Sequence, residues 1–124
     1  MGRALRDAVG DGRGIYRTGH SYVPLDEVLA LTAVDFSARG YAVIHADIGN
    51  SDLGGLPGDL VRHFLESLAR EGQFNLHVQI ITGVNNPHKA EAIFKSLARS
   101  LRAALELDPR RGEQVPSTKG TLDA

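Results

Sequence analysis

The length and composition of the chain set the first limits on its structure and function. Its 124 residues are enough for one domain or part of one, and a hydrophobic content of 42% is enough for a core. A formal net charge of −1, with no basic run, argues against a dedicated nucleic-acid binder. Because cysteine is absent, a metal would have to be bound by histidine and carboxylate.

Hydropathy bears on the cellular location of the protein. No apolar stretch approaches the length that crosses a membrane, and no apolar segment typical of a secretory signal follows Met1. We therefore expect a soluble, cytoplasmic protein that has neither a membrane nor a nucleic acid as a partner.

The first half of the chain is predicted to form one short helix and three strands. We expect the second and third strands to be hairpin partners across residues 37–40, since this short segment contains serine and glycine. The predicted elements are a helix at 3–9 ended by Gly10, extended chain at 15–23, a Pro-Leu-Asp-Glu turn at 24–27, a strand at 28–36 and a strand at 41–46.

The second half of the chain is predicted to add two helices separated by one strand. Residues 74–82 alternate between apolar and polar types, which is typical of a half-buried strand. The order β-β-β-α-β-α predicts an α+β fold in which both helices pack on one face of the sheet. The predicted elements are a loop at 50–58, a helix from Leu60 to about Gly72, a strand at 74–82, a helix at 87–106 and a polar tail.

The start of the last predicted helix carries the most informative group of side chains. Asn85 or Asn86 is a good N-cap residue, and a proline follows in the first turn. In a helix that starts there, His88, Glu91 and Lys95 lie on one stripe. Such a stripe could bind a divalent metal and an anion, or could simply be the solvated face of an amphipathic helix.

His77 lies on the polar face of the strand that precedes this helix. A strand, a tight turn and a helix N-terminus could bring its imidazole close to His88 and Glu91. Two imidazoles and one carboxylate make a partial set of ligands for a divalent metal. The alternative for His77 is a surface histidine without a specific partner.

Several further residues could bind a phosphate group. Ser117, Thr118 and Lys119 offer hydroxyls and an ammonium, although a polar tail without a binding role is the alternative. Arg17 and Arg39 flank predicted strands and could bind an oxyanion through two parallel hydrogen bonds, or could simply be solvated. The acidic pair at 26–27 could act as a base, could orient another side chain, or could only form the turn.

Taken together, these motifs resemble the imidazoleglycerol-phosphate dehydratase family, a family of lyases of histidine biosynthesis. The order and spacing of the motifs match along essentially the whole chain. The matching segments are Arg-Thr-Gly-His at 17–20, Pro-Leu-Asp-Glu at 24–27, Val-Asp-Phe-Ser-Ala-Arg at 34–39, Leu-His-Val at 76–78, residues 85–95, Asp-Pro-Arg at 108–110 and Pro-Ser-Thr-Lys-Gly at 116–120.

The resemblance implies a metal-dependent hydro-lyase that uses paired Mn²⁺ ions to bind the imidazole ring of imidazoleglycerol phosphate. It implies a fold similar to domain 2 of ribosomal protein S5 and a large homo-oligomer with metal sites at subunit contacts. The implied roles are metal ligation by His77, His88 and Glu91, catalysis by Glu91 and Lys95, and binding of the substrate phosphate by Arg17, Arg39, Lys95, Ser117, Thr118 and Lys119.

The resemblance also implies a division of the chain and several departures from the family pattern. Residues 1–10 correspond to the last helix of a preceding half-domain, residues 11–108 to the C-terminal half-domain, and residues 109–124 to a phosphate-binding tail. The preceding half-domain, with the first His-His-x-x-Glu motif, is expected to be absent here. In the remaining motif Pro87 replaces a histidine, and Gly40 replaces a common proline. The alternative is therefore a non-catalytic, truncated module that retains the fold and part of the metal and phosphate site. Any activity is expected to need a complementing half-domain as partner.

Overall fold

The computed structural model describes residues 1–48 and 57–110. Most of the predicted loop at 50–58 and of the predicted tail lies outside these ranges. The elements in chain order are α1 (Gly2–Val9), β1 (Thr18–Leu25), β2 (Val28–Asp35), β3 (Tyr41–His45), α2 (Gly58–Gly72), β4 (Asn75–Thr82) and α3 (Asn86–Leu105).

The four strands form one sheet in the order β1-β2-β4-β3. Strand β2 is antiparallel to both β1 and β4, whereas β3 is parallel to β4. Alternate residues of the strands, such as Val34 and Leu76, are buried in one core with Leu65 of α2 and Ile93 of α3. The predicted α+β fold with two helices on one sheet face is thereby confirmed.

The predicted hairpin between the second and third strands is wrong. Strand β3 pairs with β4, and β4 occupies the position beside β2 that the prediction assigned to β3. Strand β4 has the more strongly apolar inner face, with Leu76 and Val78 both buried, whereas the five residues of β3 are only half-buried or exposed. The central position therefore goes to the strand that buries more apolar surface, and the short strand takes the edge.

The connection from β2 to β3 passes the start of β4 and is bound there by a side chain. The amide of Asn75 donates to Oγ of Ser37 at 3.0 Å and to the carbonyl oxygen of Arg39 at 2.6 Å. Gly40 follows, and a Cβ at that position would lie 2.7 Å from the Cα of Arg70 in α2. A side chain at residue 40 would therefore force α2 away from this connection.

Helix α1 confirms the prediction of a short helix ended by Gly10, which has φ of 59°. The helix packs on α2, and Gly2 lies so close to the backbone of Gly72 that a Cβ would not fit. The assignment of residues 1–10 to a preceding half-domain remains a prediction.

Helix α3 lies across β1 and β2 and is joined to them by buried hydroxyl groups. Oγ1 of Thr32 lies 2.9 Å from Oγ of Ser96 and 2.6 Å from Oγ of Ser100. Ser96 also donates to the carbonyl oxygen of Ser21 at 2.7 Å. These contacts satisfy hydroxyls that would otherwise be unpaired in the core, and they fix one position of the helix on the sheet.

Gly19 is the point of closest approach between β1 and α3. A Cβ at Gly19 would lie 2.8 Å from the backbone nitrogen of Ala104 and would also clash with the carbonyl oxygen of Ser100. Both neighbours are backbone atoms, so a clash moves the whole helix. We expect Gly19→Ala to lower the free energy of unfolding in urea by about 3 kcal/mol.

Gly10→Ala is the matched control for this substitution. Gly10 differs from Gly19 in having a positive φ of 59°, and within residues 1–48 and 57–110 no atom lies within 4 Å of a Cβ placed there. With ψ of −124° this backbone lies outside the left-handed helical region, so we expect a loss of about 2 kcal/mol from backbone strain alone. A loss below about 1 kcal/mol in Gly19→Ala, which carries no such backbone strain, would contradict the close approach of β1 and α3.

Candidate metal and phosphate site

The first turn of α3 is formed by the residues that the sequence indicates. Asn85 is the N-cap, and its Oδ1 accepts a hydrogen bond of 3.0 Å from the backbone nitrogen of His88. Pro87 lies in the first turn, where its missing N–H group costs no helical hydrogen bond. The predicted helix start and the predicted cap are both confirmed.

The β1–β2 hairpin is bound to the loop that precedes α3 by Glu27. Oε2 of Glu27 accepts hydrogen bonds from the backbone nitrogens of Val84, at 2.9 Å, and Asn85, at 3.2 Å. Oγ1 of Thr82 donates to the carbonyl oxygen of Glu27 at 3.0 Å. The two backbone donors, Val84 first, lower the pKa of the Glu27 carboxyl because they stabilise its ionised form.

His88 lies against this hairpin. Its Nδ1 atom is shielded from solvent and has no hydrogen-bond partner among the residues that the structure describes. It lies 3.6 Å from Oε1 of Glu27 and 3.8 Å from Oδ2 of Asp26. The side chain as a whole is 35% exposed, so the exposure belongs to the rest of the ring. One edge of the imidazole thus meets carboxylates, and the remainder is accessible to a ligand.

Glu91 and Lys95 follow His88 along the same helix, as the spacing predicts. Oε1 of Glu91 lies 3.2 Å from Nζ of Lys95, and the two side chains are 53% and 55% exposed. An exposed pair of this kind contributes little to stability. Either group can therefore leave this ion pair, the Glu91 carboxylate to bind a metal ion and the Lys95 ammonium to bind an anion.

His77 does not lie near His88 and Glu91, and the expectation that this chain brings the three together is wrong. His77 is exposed on the face of β4 that points away from the helices, in the same row as His20 of β1 and Val43 of β3. Within residues 1–48 and 57–110, no group of three His, Asp or Glu side chains could hold a metal ion. The physical reason is the strand alternation, which directs His77 to the outer face, whereas α3 covers the inner one.

The two predicted phosphate-binding arginines lie at the opposite end of the sheet from the β1–β2 hairpin. Arg17 precedes β1, and its Nε donates to Oδ1 of Asp35 at 2.7 Å. Arg39 is exposed in the connection that Asn75 binds. Ser117, Thr118 and Lys119 lie outside the described residues.

Asp35 and Asn75 were not singled out from the sequence. Asp35 pairs with Arg17, and Asn75 is buried at the start of β4 beside the backbone of Arg39. Asp35 is the last residue of β2 and Asn75 is the first residue of β4, and a polar residue at such a strand end is the signal that could have indicated them. Together they hold the segments that carry the two arginines.

The distance along the sheet decides how these residues can work together. The strands β1, β2 and β4 have eight residues each, so their two ends are separated by roughly 25 Å. His88 and Glu27 lie near one end, and Arg17 and Arg39 lie near the other. One copy of the described chain therefore cannot place all of these groups around one small molecule.

The geometry defines a two-layer α+β domain whose last helix begins with a histidine and carboxylate pair. Two solved structures share this fold. An imidazoleglycerol-phosphate dehydratase from Staphylococcus aureus superposes with a TM-score of 0.82 at 33% identity, covering 86% of this chain and 63% of that one. The corresponding enzyme from Pyrococcus furiosus, solved in complex with (S)-C348, gives 0.81 at 34% identity, covering 96% and 64%.

Sequence relatives lead to the same family. The sequence model of imidazoleglycerol-phosphate dehydratase matches residues 1–101. The dehydratase of Dehalococcoides mccartyi is 52% identical over 123 residues, which are 99% of this chain and 63% of that protein. The dehydratase of Chloroflexus aurantiacus is 51% identical over 98% of this chain and 60% of that protein. The chain belongs to the imidazoleglycerol-phosphate dehydratase family, and it spans less than two thirds of these relatives.

The lowered pKa of Glu27 leads to a prediction about acid stability. Since the pKa is lower in the folded state, the unfolded chain takes up the proton first, and the contribution of Glu27 is lost as the pH falls from the ordinary glutamate pKa through the lowered one. We expect Glu27→Gln to make urea stability fall less steeply over this acidic range. Glu66→Gln, on the exposed side of α2, is the control and should keep the original slope.

Proposed function

We propose that this chain takes part in the metal-dependent dehydration of imidazoleglycerol phosphate to imidazole acetol phosphate in histidine biosynthesis. The observation that carries the proposal is the stripe of His88, Glu91 and Lys95 at the start of α3, in a chain of the dehydratase family. The relatives that carry this name support the reaction, and the residues below support a role for this chain in it.

The donor groups fit a divalent metal such as Mn²⁺. His88 presents the open part of its ring while Nδ1 faces carboxylates, and Glu91 has an exposed carboxylate. Imidazole and carboxylate together suit Mn²⁺ among several divalent metals. His77, His88 and Glu91 would hold the metal, which would supply Lewis-acid stabilisation of charge on the imidazole ring of the substrate.

The cationic side chains would bind the other end of the substrate. When Glu91 turns to a metal, its ion pair with Lys95 opens, and the ammonium group becomes free for the substrate phosphate. Arg17 is paired with Asp35 and offers a planar group to the same kind of anion, and Arg39 is exposed at the same end of the sheet. Ser117, Thr118 and Lys119 complete the proposed phosphate site.

We further propose that the complete site forms between copies of the chain in a homo-oligomer, or between this chain and a complementing half-domain. His77 and His88 belong to different faces of one copy, so a second chain has to bring such groups together. Apolar side chains are available for the contact. Tyr22, Tyr41 and Ile81 are exposed on the outer sheet face, and Leu60 and Phe64 are exposed on α2.

A non-catalytic role is the second candidate function, and Pro87 favours it. Proline has no atom that can bind a metal, and it lies directly before His88 in the first turn of α3. A chain with this residue would keep the fold and part of the phosphate site while lacking one metal ligand.

The proposed location is the cytoplasm, where the protein would encounter its phosphorylated substrate. Within the part of the chain that the structure describes, no helix is long and apolar enough to cross a membrane.

Binding of Mn²⁺ tests the proposed assembly of the site. We expect His77→Ala and His88→Ala each to reduce Mn²⁺ binding, measured by the electron paramagnetic resonance of free ions. When the two variants are unfolded together and refolded as a mixture, a site between copies can combine an intact His77 with an intact His88. Random mixing in a symmetric oligomer would restore about a quarter of the sites.

His63→Ala, on the exposed side of α2, is the control and should bind Mn²⁺ as the original chain does. If the mixture binds no more than the separate variants, the site does not form between copies. If neither histidine affects binding, the proposed metal ligands are wrong.

Turnover separates the two candidate functions. We expect the chain with Mn²⁺ to dehydrate imidazoleglycerol phosphate, and His88→Ala to abolish the reaction. If the folded chain is inactive and Pro87→His gives it activity, the non-catalytic role is correct for the natural sequence. If both are inactive although Mn²⁺ is bound, the proposed dehydration by this chain is wrong.

A further inference from the structure

We propose that Glu27 is a positioning residue for His88: its carboxylate accepts the Nδ1–H group of the imidazole and thereby directs Nε2 to the ligand. The proposal rests on the proposed function only for the identity of that ligand. The orientation and the tautomer of His88 follow from contacts within this chain.

The two carboxylate oxygens of Glu27 have separate surroundings. Oε2 is bound by the backbone nitrogens of Val84 and Asn85, which fixes the carboxylate on the loop before α3. Oε1 is directed to the ring and lies 3.6 Å from Nδ1 of His88. The backbone nitrogen of His88 is in turn bound by the side chain of Asn85, so the acceptor and the ring are fixed to the same short segment.

The surroundings of Nδ1 select one tautomer of the neutral imidazole. The atom is shielded from water, and its polar neighbours are the carboxylate oxygens of Glu27 and Asp26. A lone pair on Nδ1 would face negative charge on both, whereas an N–H group there faces acceptors. The proton is therefore placed on Nδ1, and the lone pair is left on Nε2.

The distance of 3.6 Å is longer than a hydrogen bond, and a small rotation of the ring closes it. Hydrogen bonds of this kind commonly tighten when the ligand is bound. The unpaired Nδ1 in a buried position is the reason to expect such a movement, because an unsatisfied buried donor is costly.

Asp26 provides the contrast that makes the role of Glu27 specific. Its carboxylate lies 3.8 Å from the same nitrogen, and its side chain is 74% exposed, compared with 41% for Glu27. Water can therefore screen and replace this contact, whereas the Glu27 carboxylate is bound in place. A histidine that binds a metal usually donates its second N–H group to such a fixed carboxylate, which orients the ring and raises its basicity.

The first experiment measures the tautomer in the absence of metal. In ¹⁵N-labelled protein at a pH where His88 is neutral, the two ring nitrogens give distinct chemical shifts, and His88→Ala identifies the signals. We expect Nδ1 of His88 to be protonated in the original chain and in Asp26→Asn. In Glu27→Gln we expect the Nε2 tautomer to become substantially populated.

The second experiment measures the affinity for Mn²⁺ alone. Loss of such an orienting carboxylate is expected to weaken binding about 10–100-fold in Glu27→Gln, and Asp26→Asn should change it by less than about threefold. Backbone amide spectra establish that the variants are folded. In Glu27→Gln the amide oxygen can still accept from the loop, which preserves the connection between the hairpin and α3.

The outcomes separate this inference from the proposed function. A tautomer that is the same in Glu27→Gln and in the original chain overturns the positioning role, whatever the protein does with Mn²⁺. A tautomer that changes only in Glu27→Gln supports the role even if no dehydration is found. Equal effects of the Asp26 and Glu27 variants would also overturn it, because the fixed carboxylate would then have no special part.

Discussion

The position of α3 on β1 and β2 is the constraint on which the rest of the structure depends. The hydroxyl of Thr32 joins Ser96 and Ser100 inside an apolar core, and Gly19 lets the helix backbone approach the sheet. These contacts fix the orientation of the helix about its own axis, since any other orientation would leave buried hydroxyls unpaired. That orientation places Ile93 in the core and Glu91 and Lys95 in solvent.

Glu27 supplies a second attachment at the N-terminal end of the same helix. The hairpin between β1 and β2 is a local structure, but its tip binds the loop between β4 and α3. The side chains of the candidate site thus lie on regular elements that are held at two points. Such support is what a metal-binding histidine requires, because a small error in ring orientation misdirects its lone pair.

The helices and the stripe of α3 could be predicted from the sequence because both depend on local spacing and on residues such as Asn85 and Pro87. Strand pairing could not be predicted, since the five-residue connection at 36–40 permits either a hairpin or a passage to the far edge. The choice depends on burial across the whole sheet. The predicted position of His77 was wrong for a related reason. Its closeness in sequence to His88 does not determine the side of the sheet on which each side chain lies.

The strand order has a consequence for the way the chain folds. Strands β1 and β2 are joined by a tight turn and can pair early, whereas the paired residues of β2 and β4 are at least 40 positions apart along the chain. Closing that long loop costs entropy before the apolar contacts of β4 offset it. The loop that holds Glu27 and His88 together follows β4 directly, so their meeting belongs to the late, cooperative part of folding. A partly folded chain would contain both residues and still lack the arrangement between them.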